Sequence, residues 1–277
     1  MKNLIIILSA IFIISCSGGS EDYVVIIHTE YGDMKAILYD ETPKHKENFI
    51  KLAKEGAYDN TIFHRVIKGF MIQGGDVNAK SDTEDKIEYT IDAEIQDSVT
   101  GKFLHTKGAL AAARQGDDVN PKRKSSGCQF YIVDGLQFTK EQLTVDQAKL
   151  NKGVTELLKD STYKFLYDSL VGLQLAQEYD LMNKCILSYK DEIEAVTGES
   201  AEIEINAERL KAYTEGEGAP HLDDEYTVFG RVVEGFEVID KIASLETIPG
   251  DRPVDDIPMS IELEPITSAE IKSKYGL

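Results

Sequence analysis

The most informative stretch of this sequence reads Phe63-His64-Arg65-Val66-Ile67-Lys68-Gly69-Phe70-Met71-Ile72-Gln73-Gly74-Gly75-Asp76. Two short runs of β-forming residues, 61–67 and 70–73, flank Lys68-Gly69, and this pattern is typical of a β-hairpin. The hairpin would bring a guanidinium, an amide and two large apolar side chains together. Such a combination indicates ligand recognition, although an ordinary half-buried hairpin has the same pattern.

The elements on either side of this hairpin are predicted from periodicity, capping residues and glycine positions. Thr42-Pro43 provides a cap residue and a proline at the first helical position, and Gly56 ends that helix. The other predicted elements are strands at Tyr23–His28, Met34–Tyr39, Gly108–Ala113, Ser126–Val133 and Met259–Ile266, and a second helix at Gly235–Leu245.

Three stretches together resemble the cyclophilin-type peptidyl-prolyl isomerases. They are the fourteen residues quoted above, Ser126–Val133 and His221–Val233, and the resemblance covers roughly residues 23–135 and 221–266. It implies a mainly β protein, a closed eight-stranded antiparallel barrel with two capping helices. In this family the substrate groove lies on the outer wall of the barrel.

The resemblance also implies the residues of the active site. Arg65 would be catalytic, and the implied substrate-binding residues are His64, Phe70, Met71, Gln73, Ala113, Arg114, Gln129, Tyr131, Leu222 and Tyr226. Arg114 stands where the family commonly has asparagine, so only its backbone role is carried over. Tyr131 stands where phenylalanine is usual and adds a hydroxyl that needs a partner. His221 stands where many eukaryotic members have tryptophan.

The expected function is cis-trans isomerisation of prolyl bonds in unfolded or exported proteins, by stabilisation of the twisted amide. No metal or cofactor is expected, because the five histidines lack paired ligand spacing and no phosphate-binding loop is present. A different class of function is also compatible with the sequence: a membrane-tethered chaperone or peptide-binding scaffold with little catalysis.

The first fifteen residues resemble a bacterial lipoprotein signal peptide. Lys2 precedes the apolar run Leu4–Ile14, which is too short to span a bilayer comfortably, and Ile14-Ser15-Cys16 resembles a lipobox. Cys16 would then carry the lipid, and residues 16–22 would form a short tether. These features predict a protein anchored in the bacterial cell envelope, on the periplasmic face of the outer membrane.

Charge and cysteine content narrow the possible partners. The formal net charge of -19 argues against nucleic-acid binding, which requires a basic face. The basic cluster Lys122-Arg123-Lys124 lies in a predicted loop, where it is either solvated or tunes substrate choice. Cys128 and Cys185 either form a disulfide or remain as two buried thiols.

A long segment separates the second and third matching stretches. Thr139-Lys140-Glu141-Gln142 is a capping-box pattern, and apolar residues recur at helical spacing from Val154 to Val196. We predict a helical insertion at 137–219 between two barrel segments, 23–136 and 220–277. Its apolar stripe should be buried and is either core or a second peptide-binding surface; the stripe contains Leu158, Phe165, Leu166, Leu170, Leu173, Ala176, Leu181, Cys185 and Ile193.

Overall fold

The computed structural model describes residues 22–79, 86–95 and 102–277. The predicted signal peptide and Cys16 lie outside these residues. The strands are β1 (Asp22–Thr29), β2 (Gly32–Leu38), β3 (Thr61–Ile67), β4 (Met71–Gly74), β5 (Thr90–Ile91), β6 (Ala109–Ala112), β7 (Ser125–Ser126), β8 (Phe130–Val133), β9 (Val228–Glu234), β10 (Thr247–Ile248), β11 (Arg252–Pro253) and β12 (Pro258–Ile266). The helices are α1 (Pro43–Lys54), α2 (Lys140–Leu143), α3 (Gln147–Leu157), α4 (Lys164–Leu175), α5 (Tyr179–Leu187), α6 (Lys190–Thr197), α7 (Ala207–Glu215), α8 (Phe236–Ala243) and α9 (Ser268–Tyr275).

Eight strands form the closed barrel that the sequence predicts. Their order is β1-β12-β3-β4-β8-β6-β9-β2, and every neighbouring pair is antiparallel. Strand β6 consists of buried small residues and one leucine, and it pairs with β8 on one side and β9 on the other. The mainly β class and the closed barrel are therefore confirmed.

Helices α1 and α8 close the barrel. Phe49 and Leu52 of α1 and Ile239 and Ile242 of α8 are buried in the same apolar cluster as the inward side chains of the strands. Burial of this contiguous apolar surface is the main source of the barrel's stability, at about 25 cal/mol per Å². The two predicted capping helices are confirmed.

The start of α1 is held differently from the sequence prediction. Thr42 is the cap residue, but its side chain makes no capping hydrogen bond. Instead, a carboxylate from a distant loop accepts hydrogen bonds from the first turn: Glu94 binds the backbone N–H groups of Lys44 at 3.2 Å and His45 at 3.0 Å. A negative charge at a helix N-terminus also interacts favourably with the helix dipole.

His45 connects this cap to the barrel wall. Its Nδ1 lies 2.7 Å from Glu94 Oε2 and its Nε2 lies 2.9 Å from Ser125 Oγ. Burial lowers the pKa of His45, which keeps the ring neutral. The neutral ring then donates a hydrogen bond from Nδ1 to the Glu94 carboxylate and accepts one from the Ser125 hydroxyl at Nε2. The side chains of Ser125 and His45 are enclosed, so this arrangement ties elements together and is closed to substrate.

The insertion has a core of its own. Leu150, Val154, Leu157, Leu166, Leu170, Ile186 and Ile193 are buried in one cluster that is separate from the barrel cluster. The prediction of a fully buried stripe is wrong, however, for several positions. Phe165 is 80% exposed, Leu181 is 49% exposed and Ala176 is also exposed. The insertion consists of several short helices, and the chain changes direction between them. Residues at helical spacing in the sequence therefore do not all lie on one buried face.

Three further features differ from or refine the predictions. The sequence analysis missed α9, although Thr267 and Glu270 form its capping box and Ile271 is buried against β1 and β2. Cys128 is buried and Cys185 half-buried, and both are free thiols, so the disulfide is absent. Within the described ranges, no helix has the length and apolar character needed to cross a bilayer.

We predict that residues 147–200 can be replaced by a short Gly-Ser linker with a folded barrel remaining. The two ends of this segment already meet, because the Asp146 N–H donates to the Ala201 carbonyl at 2.7 Å and the Ile203 N–H donates to the Thr144 carbonyl at 2.9 Å. The shortened protein should keep a cooperative urea-unfolding transition.

A wider replacement of residues 139–216 serves as the comparison. It also removes Tyr213, which is fully buried against Leu104 and Leu143. Loss of a buried aromatic side chain costs about 3–5 kcal/mol, so this variant should unfold at clearly lower urea. The prediction would be contradicted if the two variants were equally stable, or if the variant with residues 147–200 replaced were unfolded. The predicted limits 137–219 themselves stay a prediction.

Candidate active site

The pocket of the outer wall is built on three adjacent strands. Gln73 of β4 is opposite Tyr131 of β8, which in turn is opposite Ala111 of β6. Since side chains alternate along a strand, residues two apart share a face, and Met71 and Gln73 thus lie on one side of the sheet. A concavity of about 80 Å³ lies here, lined by Arg65, Phe70, Met71, Gln73, Ala113, Arg114, Tyr131, Leu222 and Tyr226.

This set contains every predicted site residue except His64 and Gln129. Gln129 is close behind the pocket, because its side-chain oxygen accepts a hydrogen bond from Gln73 Nε2 at 3.1 Å. It borders a neighbouring depression of about 450 Å³ instead. His64 does not border the pocket: its Nδ1 is buried without a hydrogen-bond partner among the described residues, and burial lowers its pKa.

The orientation of the Arg65 side chain is set by a turn far away in the sequence. Its Nε donates to Asp251 Oδ2 at 3.2 Å, and the backbone carbonyl of Asp251 accepts from the Val66 N–H at 2.7 Å. Both side chains are about two-fifths exposed, at 42% and 43%. The terminal guanidinium nitrogens make no other ion pair or hydrogen bond with the described residues, so they are available to a ligand in the pocket.

Arg114 forms part of the pocket wall through its side chain, which the sequence analysis did not predict. The side chain is only 6% exposed, and its guanidinium lies 4.4 Å from the centroid of the Tyr226 ring. Its nitrogens contact Asp117 at 2.5 Å and Glu225 at 3.5 Å. The charge of Arg114 is therefore compensated by two carboxylates, and its guanidinium packs against the Tyr226 ring.

The same two carboxylates account for the basic loop. Arg123 pairs with Asp117 at 2.8 Å and also with Glu225. Both partners hold Arg114 as well, so the loop is tied to the pocket wall by a shared ion-pair network. The neighbouring Lys124 pairs with Asp92 at 3.0 Å. These pairs leave less uncompensated positive charge in the loop than its sequence indicates.

The hydroxyl of Tyr131 finds its partner in His105. The distance from the hydroxyl to His105 Nε2 is 3.0 Å, and His105 Nδ1 lies 3.0 Å from Asp223 Oδ1. Because the carboxylate requires a proton on Nδ1, Nε2 accepts and the tyrosine donates. Burial raises the pKa of Tyr131 well above its ordinary value, which keeps this donor protonated.

Asp223 extends this series of hydrogen-bonded side chains to residues of the insertion. Both of its oxygens accept from the Tyr213 hydroxyl at 2.8 Å, and Oδ2 lies 3.1 Å from Arg209 Nε. Tyr213 and Arg209 belong to α7. The side chains of His105 and Asp223 have no solvent exposure. We refer to Tyr131, His105, Asp223, Tyr213 and Arg209 as the buried polar chain.

The sequence analysis did not predict most of the buried polar chain. The only signal was the unusual hydroxyl of Tyr131, which requires a partner without indicating where that partner lies. His105 precedes β6, Asp223 precedes β9, and Tyr213 lies in α7, so these residues are far apart in the sequence. These residues come into contact only because the chain folds into the closed barrel.

His221 lies at the edge of the pocket. Its ring centroid is 5.1 Å from that of Phe70, at an interplanar angle of 35°. The two rings thus form a partly apolar rim above Leu222, which lines the pocket itself.

We predict that Tyr131→Phe destabilises the protein by about 1–3 kcal/mol, because His105 Nε2 is left as a buried acceptor without a donor. Urea unfolding should show this loss. Tyr226→Phe is the matched control, since the Tyr226 hydroxyl makes no hydrogen bond within the described residues. An unchanged unfolding midpoint in Tyr131→Phe, or an equal loss in both variants, would contradict the buried polar chain.

Comparison with known proteins agrees with this arrangement. The profile of the family described as "Cyclophilin type peptidyl-prolyl cis-trans isomerase/CLD" matches residues 24–147 and 207–262, together more than half of the chain. Both matched segments contain pocket residues. Most of the predicted insertion, residues 148–206, is left unmatched.

Individual relatives support the same assignment. A Streptococcus pyogenes protein assigned as a bifunctional phosphatase/peptidyl-prolyl cis-trans isomerase is 30% identical over 236 residues, which are 84% of this chain and 37% of that protein. A Staphylococcus saprophyticus protein assigned as a peptidyl-prolyl cis-trans isomerase is 30% identical over 241 residues, 86% of this chain and 90% of that protein.

A solved structure is similar in fold. A cyclophilin-type peptidyl-prolyl cis-trans isomerase of Cryptosporidium parvum superposes with a TM-score of 0.51 at 22% identity, covering 88% of this chain and 98% of that chain. At this identity the likeness concerns the fold alone. The profile match, the relatives and the barrel with its pocket lead to one conclusion: this chain belongs to the cyclophilin-type peptidyl-prolyl cis-trans isomerase family.

Proposed function

We propose that this protein accelerates the cis-trans isomerisation of prolyl bonds in exported proteins, and that Arg65 stabilises the twisted amide. One observation carries this mechanism: the terminal nitrogens of Arg65 are available at the edge of a small, largely apolar pocket. The pocket is small, at about 80 Å³, and most of its lining residues are apolar or aromatic, which suits a proline ring.

The chemistry requires no covalent step. Rotation about a peptide bond must overcome a barrier of about 18–20 kcal/mol, because the bond loses its partial double-bond character. In the twisted state the nitrogen regains a lone pair, which can accept a hydrogen bond. A group that meets this lone pair binds the transition state more tightly than the ground state and therefore accelerates rotation.

Arg65 suits this role because a guanidinium stays protonated and presents several donors in a planar fork. Asp251 holds one edge of the fork and leaves the other for substrate. A thousandfold acceleration requires about 4 kcal/mol, which one or two hydrogen bonds in a water-poor groove can supply.

The remaining pocket residues divide the work of binding. Phe70, Met71, Tyr131 and Leu222 present apolar surface to the proline ring. Gln73 presents its amide to the peptide backbone, since its own position is held by Gln129. Arg65→Lys would retain the charge but lose the fork.

A holding function for unfolded clients is the second candidate. Phe165 and Leu175, both on α4 of the insertion, are 80% and 81% exposed. Exposed apolar surface on a body joined to the barrel favours a chaperone role beside the catalytic one. Clients of both activities would be unfolded or exported proteins.

We further propose that the protein is a lipoprotein of the bacterial cell envelope, on the periplasmic face of the outer membrane. The support is the order of Lys2, the apolar run Leu4–Ile14 and Ile14-Ser15-Cys16 in the sequence. Asp22, the last residue of the predicted tether 16–22, already belongs to β1, so the proposed tether comprises residues 16–21 and reaches only about 20 Å when fully extended. The barrel would thus work close to the membrane surface, where newly exported chains arrive.

We expect Arg65→Ala to lower kcat/KM for a short prolyl peptide at least about a hundredfold, which corresponds to roughly 2.7 kcal/mol of transition-state stabilisation. Arg65→Lys should recover little of the loss. A protease-coupled isomerisation assay measures both. The fold should be intact by circular dichroism, since Arg65 is a partly exposed side chain.

Arg252→Ala is the matched control for this substitution. Arg252 lies in the neighbouring β11 strand and pairs with Asp256 at 2.6 Å, outside the pocket. Its loss should leave kcat/KM near the wild-type value. Near-wild-type turnover in Arg65→Ala would exclude the proposed mechanism, and absence of turnover in the wild-type protein would exclude the proposed function.

Mass spectrometry of the protein isolated from a bacterial envelope should show a chain that begins at a lipid-modified Cys16. Cys16→Ser should move the protein out of the membrane fraction, whereas Cys185→Ser should leave it there. An unmodified Cys16, or a chain that still begins at Met1, would contradict the lipoprotein assignment.

A further inference from the structure

A second and larger cavity lies between the insertion and the barrel. Its volume is about 500 Å³, within the range of sites that bind ligands. Leu143, Val145, Ile203 and Ile205 contribute apolar wall on one side, and Pro220 and His221 close it on the side of the barrel. We refer to this cavity as the cleft.

His221 lies between the cleft and the proline pocket. The His221 ring borders the cleft and also contacts the ring of Phe70, which lines the proline pocket, in a tilted arrangement with ring centroids 5.1 Å apart. The next residue, Leu222, lines the proline pocket itself. An extended peptide advances about 3.3–3.6 Å per residue, so a few residues suffice to pass from one site over His221 into the other.

The charge of the cleft is negative. Asp146, Asp180 and Glu204 border it. Asp180 pairs with Lys184 at 2.6 Å, whereas Asp146 and Glu204 make no ion pair within the described part of the chain. The one cation on its wall, Arg209, is compensated by Asp223 at 3.1 Å and Asp224 at 2.6 Å. Apolar walls with a carboxylate rim complement an apolar side chain beside a lysine or arginine.

We infer that the cleft binds a second segment of the same polypeptide whose proline occupies the pocket, and that it selects apolar residues next to basic ones. This inference rests on the proposed isomerase function and adds substrate selection to it. Anionic occupants, such as phosphorylated peptides, nucleotides or acidic lipid headgroups, are disfavoured by the carboxylates of Asp146 and Glu204, which have no ion-pair partner among the described residues. Selection occurs in binding, so it should appear in KM rather than in kcat.

The selection is tested with three peptides that share one prolyl core. The first is the core alone. The second carries Leu-Lys-Leu, joined through short glycine spacers on both sides, and the third carries Leu-Glu-Leu in the same places. In the full-chain protein, the basic extension should raise kcat/KM at least about fivefold through a lower KM, and the acidic extension should not.

Two variants assign this preference to the cleft. Glu204→Lys reverses one exposed charge on the rim, and replacement of residues 147–200 removes one wall. Each should reduce the preference for the basic peptide to less than about twofold. Glu264→Lys is the matched control: it makes the same change on strand β12, away from the cleft, and should preserve the preference. This control separates local selection from the general attraction of a protein of net charge -19.

The outcomes distinguish failure of this inference from failure of the proposed function. If wild-type protein isomerises the core and both extended peptides with equal kcat/KM, the function stands and the cleft inference is wrong. An equal loss of preference in Glu204→Lys and Glu264→Lys also overturns the inference. If none of the peptides is isomerised, the proposed function itself fails. A preference for the acidic peptide contradicts the charge argument directly.

Discussion

The buried carboxylate of Asp223 is the interaction on which the architecture around the site depends. A charge without solvent contact is costly unless hydrogen bonds replace its water. Here the backbone and ring of His105, the hydroxyl of Tyr213 and the guanidinium of Arg209 all converge on its two oxygens. Removing any one of them leaves part of the charge uncompensated. The carboxylate therefore requires three separate segments of the chain to stay in place together.

These contacts connect the helical insertion to the pocket residue Tyr131, although no residue of the insertion lines the pocket. Tyr213 and Arg209 lie on α7, and His105 passes the constraint on to the hydroxyl of Tyr131 in the pocket floor. Helix α7 also falls within the segment that matches the family profile, whereas residues 148–206 do not. The part of the segment that stabilises the barrel is thus distinct from the part that forms the separate core of α3 to α6.

The charged groups of the site follow one physical rule. Arg114 and Arg123 are surrounded by Asp117 and Glu225, and packing against Tyr226 further restrains Arg114. Arg65 has one carboxylate partner and a partly exposed fork. A guanidinium that is fully paired supports structure, while one that is held along a single edge can still donate to a ligand. The distribution of carboxylates, more than the number of arginines, distinguishes the catalytic candidate.

Periodicity, capping residues and glycine positions predicted the individual strands, the two capping helices and the hairpin with Arg65, because those signals lie within a few residues of one another. The closed barrel and nearly all of the pocket lining were predicted through the resemblance of three stretches to cyclophilins. It also indicated that the hydroxyl of Tyr131 needs a partner. The folded chain was needed to show that this partner is His105, that Glu94 caps α1 and that Asp251 orients Arg65. These contacts join residues that are between 26 and 186 positions apart, and a buried or oriented charge leaves no periodic pattern along the chain. The exposed face of Phe165 was likewise decided by where the short helices turn, which helical spacing in the sequence does not specify.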